Sequence, residues 1–383
     1  MMSIVVVACL SLFANLIVNS IEIPFIKNVT LIPRYNWNST MMTNQTLDNC
    51  ICFSLESFVA FNWFPNKTCE LFVTYPKTYQ IRSTENIRLY FPQGIFPNKS
   101  ECCMRDINYL LTKLRNGTWT YVNTTLNRNL LTDDNAYIVS IESDPPYLVR
   151  FHSQNLTLVS RNSIGTSPES VQVIGYFNGV YFAGFNNGPI RMIDSQNLTI
   201  LANLFSSAIT SIRGIMFLNN GRTLVASMFN SNLTCFFERI SNGSLFDYTY
   251  SYQQKVNVSM IHGLTAVNDN YFYGTSYKDN LIYSFENTNE SRIWIEKLIV
   301  NASSTTASSS NGLFVTIDDC GRFWFPLAAS IFIFDENGTL IGNLTSPNSI
   351  MIDVLILDNY VLVISDRKNN QKQIIRIDPH LQC

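Results

Sequence analysis

Three stretches of the chain set a polar side chain in front of a glycine and an aliphatic residue: Arg213-Gly214-Ile215, His262-Gly263-Leu264 and Asn311-Gly312-Leu313. Glycine lets two backbones approach closely, so the side chain before it is free to project where the strand begins. A guanidinium, an imidazole and an amide presented in this way, with Gln172 and Asp353 in related places, can hydrogen-bond a ligand at the mouth of a channel. The same groups can equally fill the channel and hold water. Covalent and metal chemistry has less support, because the chain contains no H-E-x-x-H helix, no G-x-S-x-G elbow and no phosphate loop. Only three histidines occur, and His152 and His380 fall at strand ends.

A second kind of chemistry is modification. Sixteen Asn-x-Ser/Thr sequons follow residue 20, a large share of the 43 asparagines. Five recur at one place in a repeating pattern, at Asn155, Asn197, Asn242, Asn289 and Asn337. A turn favours Asn-Gly without requiring the Ser or Thr that follows, so these read as N-glycosylation sites. The apolar run Ile4–Val18 is 15 residues long, short for a bilayer of ~30 Å. It reads as a secretory signal over residues 1–20, with an uncleaved anchor as the alternative. Nine cysteines become eight without Cys9: Cys50, Cys52, Cys69, Cys102, Cys103, Cys235, Cys320 and Cys383. An even number in an exported chain suggests disulfides, and eight cysteines leave many connectivities open. A formal net charge of −2 with dispersed Lys and Arg argues against nucleic acid as the partner. No segment after the leader has the length and apolarity of a membrane span.

The elements that position these residues form a repeat. Turn signals fall at Asp133-Asp134-Asn135, Asn178-Gly179, Asn219-Asn220-Gly221, Asn268-Asp269-Asn270, Asp319-Cys320-Gly321 and Asp358-Asn359. Their spacing of roughly 40 to 50 residues is that of four-stranded propeller blades. Ser153-Gln154-Asn155-Leu156-Thr157 returns almost unchanged as Ser195-Gln196-Asn197-Leu198-Thr199. The last unit has only three strands, whereas Trp119–Asn123 forms an orphan strand before the first unit. That strand is expected to complete the last blade and close the ring, removing an open sheet edge. Five cysteines lie between Cys50 and Cys103 and only three after them. The expected organisation is therefore a leader (1–20), an extended glycosylated lead-in (21–49), a disulfide-stapled module (50–117) and a mainly β, six-bladed propeller (118–383).

The segment from Cys50 to Tyr75, with strands expected at Phe58–Phe61 and Leu71–Tyr75 around Pro65-Asn66-Lys67, resembles the core hairpin of PAN/apple modules. The Cys50-x-Cys52 and Cys102-Cys103 spacings depart from that family, so its disulfide map does not carry over. The resemblance implies protein or carbohydrate binding. Gly312-Leu313 with Ile317-Asp318-Asp319-Cys320-Gly321-Arg322-Phe323-Trp324 is similar to the G…D-x-x-G-x-x-W segment of six-bladed propellers of the NHL-repeat, gluconolactonase-like (TolB-like) superfamily. Tyr360–Asp378 resembles the NHL string of strand, Asp, Asn-rich turn, strand and Asp. Gluconolactonase-like propellers hold a divalent metal in the channel, and Asn311 matches the Asn of that set; the expected Glu is not evident, Glu169 falling in a loop. The readings carried forward are a secreted recognition protein for an extracellular protein or glycan, with no cofactor, and as the alternative a calcium-type, metal-dependent lactonase or esterase.

Overall fold

The computed structural model describes residues 25–381, except 34–38, 73–78, 91–103, 205–210, 229–232, 240–247, 256–259, 288–292, 306–311 and several stretches of one to three residues. The leader, Cys52, Cys102, Cys103, Cys383, Asn242, Asn289 and Asn311 therefore lie outside the described residues. The chain divides into two compact units, 1–100 and 101–383.

The first unit is a five-stranded antiparallel sheet in the order β1-β5-β3-β4-β2. Its strands are β1 (Phe25–Pro33), β2 (Ser39–Met42), β3 (Ala60–Phe64), β4 (Thr68–Phe72) and β5 (Tyr79–Tyr90). The hairpin turns where Pro65-Asn66-Lys67 suggests, with Lys67 at φ 61°, although both of its strands are displaced from the expected spans. Cys50 and Cys69 form a disulfide, and both are fully buried beside Phe61, Leu71 and Tyr90. Phe61 stacks on Tyr90 with ring centroids 4.7 Å apart. The lead-in is not a mere extension: β1 pairs along β5 and β2 along β4, so residues 25–42 supply two strands of this sheet.

The second unit opens with the helix α1 (Ile107–Asn116), which the sequence reading assigned to the cysteine-rich module. Asp106 caps it, its carboxylate accepting from the Tyr109 N–H at 3.0 Å. Leu110, Leu111 and Leu114 fall on one stripe and pack with Trp324, Ile331, Ile333 and Leu344. That burial moves the boundary from near Gly117 to between residues 100 and 101.

Six four-stranded antiparallel sheets follow, each a blade. Blade I holds β7 (Asn127–Thr132), β8 (Tyr137–Ser143), β9 (Pro146–His152) and β10 (Leu158–Ser163); blade II holds β11 (Val171–Phe177), β12 (Val180–Phe185), β13 (Ile190–Asp194) and β14 (Ile200–Leu204). Blade III holds β15 (Ile212–Leu218), β16 (Thr223–Met228), β17 (Leu233–Arg239) and β18 (Tyr248–Lys255); blade IV holds β19 (Ile261–Asn268), β20 (Tyr271–Ser276), β21 (Leu281–Glu286) and β22 (Ile295–Asn301). Blade V holds β23 (Thr316–Ile317), β24 (Phe323–Leu327), β25 (Ser330–Phe334) and β26 (Leu340–Thr345). Blade VI holds β27 (Met351–Ile356), β28 (Leu362–Lys368) and β29 (Gln371–Asp378), and its fourth strand is β6 (Thr118–Thr124). The pairing runs from Asp378↔Thr118 to Lys372↔Thr124, so the early strand closes the ring on the last blade as expected.

Each blade buries both faces, and the apolar residues sort by joint. One cluster lies between blades I and II, and one each between II and III, III and IV, IV and V, V and VI, and VI and I. A strand flanked on both faces is buried throughout rather than alternating, as in Val180–Phe185 and Thr223–Met228.

Candidate functional site: the channel mouth

The first strand of each blade is the innermost, and all six start from one face of the ring. The loops joining fourth to first and second to third strands share that face. The first-to-second and third-to-fourth turns share the other.

Five inner strands begin with the same irregularity. Pairing jumps between Val171 and Val173, between Ile212 and Gly214, between Ile261 and Leu264, between Met351 and Asp353, and between Asn127 and Leu130. Each jump is a β-bulge, which sets extra backbone against the neighbouring strand and re-aims a side chain. Aligned on the bulge, Gln172, Arg213 and His262 occupy one equivalent position in blades II, III and IV. Arg128 stands there in blade I and Ile352 in blade VI. The expected Asn311 lies outside the described residues. Bulges cannot be read from apolar periodicity, which is why the shared position of Arg128 was not recognised from the sequence.

The three described polar residues are almost wholly enclosed, at 2%, 8% and 2% exposed for Gln172, Arg213 and His262. The Gln172 amide donates to Ser170 Oγ at 2.5 Å. Arg213 donates to Asn186 Oδ1 and to the Ile212 carbonyl, both at 3.1 Å. Ser211 Oγ donates to the same Asn186 oxygen at 3.0 Å, so Asn186 ties blade II to blade III at the mouth. His262 stacks on Tyr277 and meets Phe314 edge-on, both at 5.5 Å between centroids. The glycines behave as the sequence implies: a Cβ on Gly214 would lie 2.7 Å from the His262 carbonyl oxygen, and one on Gly263 2.7 Å from that of Leu313.

Asp353 belongs one residue further along, level with Gly214 rather than Arg213, and it takes a different role. It is fully buried and accepts from Asn129 Nδ2 at 3.1 Å, from the Leu130 N–H at 2.7 Å and from the Val354 N–H at 2.8 Å. Asn129 in turn accepts the Ile174 N–H at 2.9 Å, which threads blades VI, I and II together. Burial pushes the Asp353 carboxyl up to about 7, against the three donated hydrogen bonds that favour its charged form. Asp353 thus joins neighbouring blades, and Asn129 is the partner that the sequence reading missed.

Glu169 lies in the loop before β11, as expected, and it is paired. Arg191 reaches it at 2.5 Å and 3.1 Å, and this ion pair holds its carboxyl below the usual range, helped by the Thr166 N–H. Among the described residues, no group of three or more His, Cys, Asp or Glu side chains stands close enough to hold a metal ion. Among the same residues no helix is long and apolar enough to cross a membrane.

On the opposite face, Asn155, Asn197 and Asn337 sit exposed in the third-to-fourth turns of blades I, II and V. The sequon threonine has a local role that the sequence reading denied it. Asn155 Oδ1 accepts from the N–H and hydroxyl of Thr157, and Asn197 Oδ1 from those of Thr199 at 2.9 Å and 2.6 Å. The D-x-x-G-x-x-W segment also gains a physical basis. Asp318, 2% exposed, accepts from Trp324 Nε1 at 2.8 Å and Arg322 Nε at 2.7 Å, while Arg322 donates to the Met104 carbonyl at 2.8 Å. Cys320 in this turn is disulfide-bonded.

No family model matches the chain, and no curated protein matches it. Among solved structures it is similar to the streptogramin B lyase structure, with a TM-score of 0.50 at 11% identity over 68% of this chain and 98% of that one. It is also similar to the Cps50 (Swd1) β-propeller domain of Myceliophteria thermophila, with a TM-score of 0.49 at 9% identity over 68% and 98%. A further likeness is to the WD40 β-propeller domain of Doa1, with a TM-score of 0.47 at 13% identity over 64% and 77%. An identity as low as that to the lyase speaks to the fold alone, and that fold is the β-propeller.

Proposed function

We propose that the protein is a secreted, N-glycosylated recognition protein that binds an extracellular protein or glycan at the propeller's channel mouth, with the disulfide-stapled N-terminal unit, read as PAN/apple-like, as a second binding module. The observation that carries this reading is the division of labour between the two faces. The bulged positions bring Gln172, Arg213 and His262 to one face, and the third-to-fourth turns put Asn155, Asn197 and Asn337 on the other. Sugars on the second face leave the first for a partner. The sequon Asn301, exposed at the end of β22, falls on the binding face in blade IV, so approach is expected across the ring, over blades VI, I and II.

The test is binding of the secreted protein to arrays of extracellular glycans and proteins, alongside an Arg213→Gln, His262→Gln variant. Loss of a specific signal at unchanged melting temperature supports the reading. Equal binding by both proteins overturns it. The lactonase or esterase alternative would need a metal in the same throat. Calcium titration read by melting temperature discriminates: a stoichiometric shift abolished by Asn311→Ala would favour the hydrolase.

A further inference from the structure

Four of the five repeated sequons are followed at once by an aliphatic residue: Asn155-Leu156-Thr157-Leu158, Asn197-Leu198-Thr199-Ile200, Asn242-Gly243-Ser244-Leu245 and Asn337-Gly338-Thr339-Leu340. In the three that are described, that residue opens the outermost strand of its blade, β10, β14 or β26. There it stands open to solvent, at 56% for Leu158, 48% for Ile200 and 46% for Leu340. The turns close alike. The last residue of the third strand (His152, Asp194) or the one just after it (Asp335) donates its N–H at 2.9 Å to the sequon threonine carbonyl, of Thr157, Thr199 and Thr339 respectively. The middle residue of each sequon is left-handed, with φ of 58° at Leu156, 59° at Leu198 and 81° at Gly338. At Asn155 and Asn197 the amide oxygen is turned in toward the threonine, which leaves the amide nitrogen, the atom that carries a sugar, facing outward.

Resting on the export reading above, we propose that N-linked sugars at Asn155, Asn197 and Asn337 seat their first N-acetylglucosamine on Leu158, Ile200 and Leu340, covering the apolar start of each outer strand. Isolated exposed aliphatics need no explanation, but the same exposure at the same register in three blades does. The carbon-bound hydrogens of a pyranose ring give the sugar an apolar face that gains from covering such a side chain. The outer strands are also the ring's open edges, and a sugar at the head of each hinders pairing with another chain. The attachment point lies three residues before the residue to be covered, so the occupant is part of the same turn. Blade IV departs from the pattern: Arg292 follows its sequon, and an exposed Ile295 opens β22.

The experiment uses the full chain secreted from a glycosylating eukaryotic cell. Peptide mapping reads occupancy at the three asparagines. The protein is then compared intact, trimmed to one N-acetylglucosamine per site and stripped completely, by melting temperature and by fluorescence of an apolar-surface dye. Trimming should change neither reading. Complete removal should lower the melting temperature by about 2 °C, as expected for a loss of order 1 kcal/mol in a chain of this size, and raise dye fluorescence. A Leu158→Ser, Ile200→Ser, Leu340→Ser variant should lose the dye response to stripping. A secreted protein with bare asparagines overturns the proposal while sparing the export reading. Occupied sites with the same dye response in parent and triple variant overturn the seating, and a protein retained inside the cell with these sites bare overturns both.

Discussion

Asp353 holds a carboxylate fully buried among three N–H donors, with Asn129 on the neighbouring blade as its side-chain partner. Its folded value of about 7 lies above the ordinary 3.8, because burial penalises the charge more than the donors reward it. The sign of the pH dependence follows. The folded state binds this proton more tightly, so the stability it contributes is complete below about pH 4 and is lost as the pH rises through about 7. Asp353→Asn removes the titration, and the variant's melting temperature relative to the parent's is expected to rise between pH 4 and pH 8. Asp353→Ala leaves Leu130 N–H and Asn129 without their acceptor, costing about 1–3 kcal/mol at every pH. Urea unfolding of the three proteins across that range checks both, and parallel pH profiles for parent and Asn variant would count against a raised carboxyl. The same residue shows how far single positions were legible. Asp353, Gln172, Arg213 and His262 were all recognisable as polar residues near the start of inner strands. The one-residue bulge that separates the first from the other three depends on pairing with the second strand, which no local pattern reports.

At the scale of elements, β6 is the strand on which the ring depends, and its entry is tight. A Cβ at Gly117 would lie 2.3 Å from the Asp378 carbonyl oxygen, at the first pair of the closing ladder. Backbone cannot yield as a flexible side chain can, so Gly117→Ala is expected to lower the melting temperature and to speed amide exchange along β6 and β29 first. Unchanged exchange at Thr118–Thr124 would show that the closure tolerates displacement. Hairpins were the most legible elements because Asn-Gly and Asp-rich turns carry their own signal: among the described residues the first turns fall where the sequence puts them. Three elements among those described were not seen. Helix α1 has an Asp cap and apolar residues at Ile107, Leu110, Leu111 and Leu114, but it lies just after a run of cysteines that drew the boundary past it. Strands β1 and β2 are held by pairing with β5 and β4, partners distant in sequence, and in isolation their Asn- and Thr-rich stretch reads as unstructured.

In the whole molecule, six joints carry six apolar clusters, and each joint near the axis also has a polar bridge. Asn129 and Asp353 serve VI to I and I to II, and Asn186 serves II to III. Ser227 donates to the His262 carbonyl at 3.3 Å, Thr275 to the Leu313 carbonyl at 2.6 Å, and Thr316 to the Val354 carbonyl. No blade has a neighbour on one side only, which sets a closed ring apart from a linear repeat whose ends unfold independently. Val122 tests this, since it pairs with Ile374 in the closing ladder and packs against the cluster shared by blades VI and I. Val122→Pro removes an N–H from β6 and disturbs that pairing, so a ring that folds as one unit should lose stability throughout. Calorimetry is expected to show one propeller transition at a lower temperature, and hydrogen exchange should quicken in blade III, opposite the lesion, as much as in blade VI. Faster exchange confined to blade VI, with the transition temperature unmoved, would mean that each joint stands alone and that closure contributes only local order.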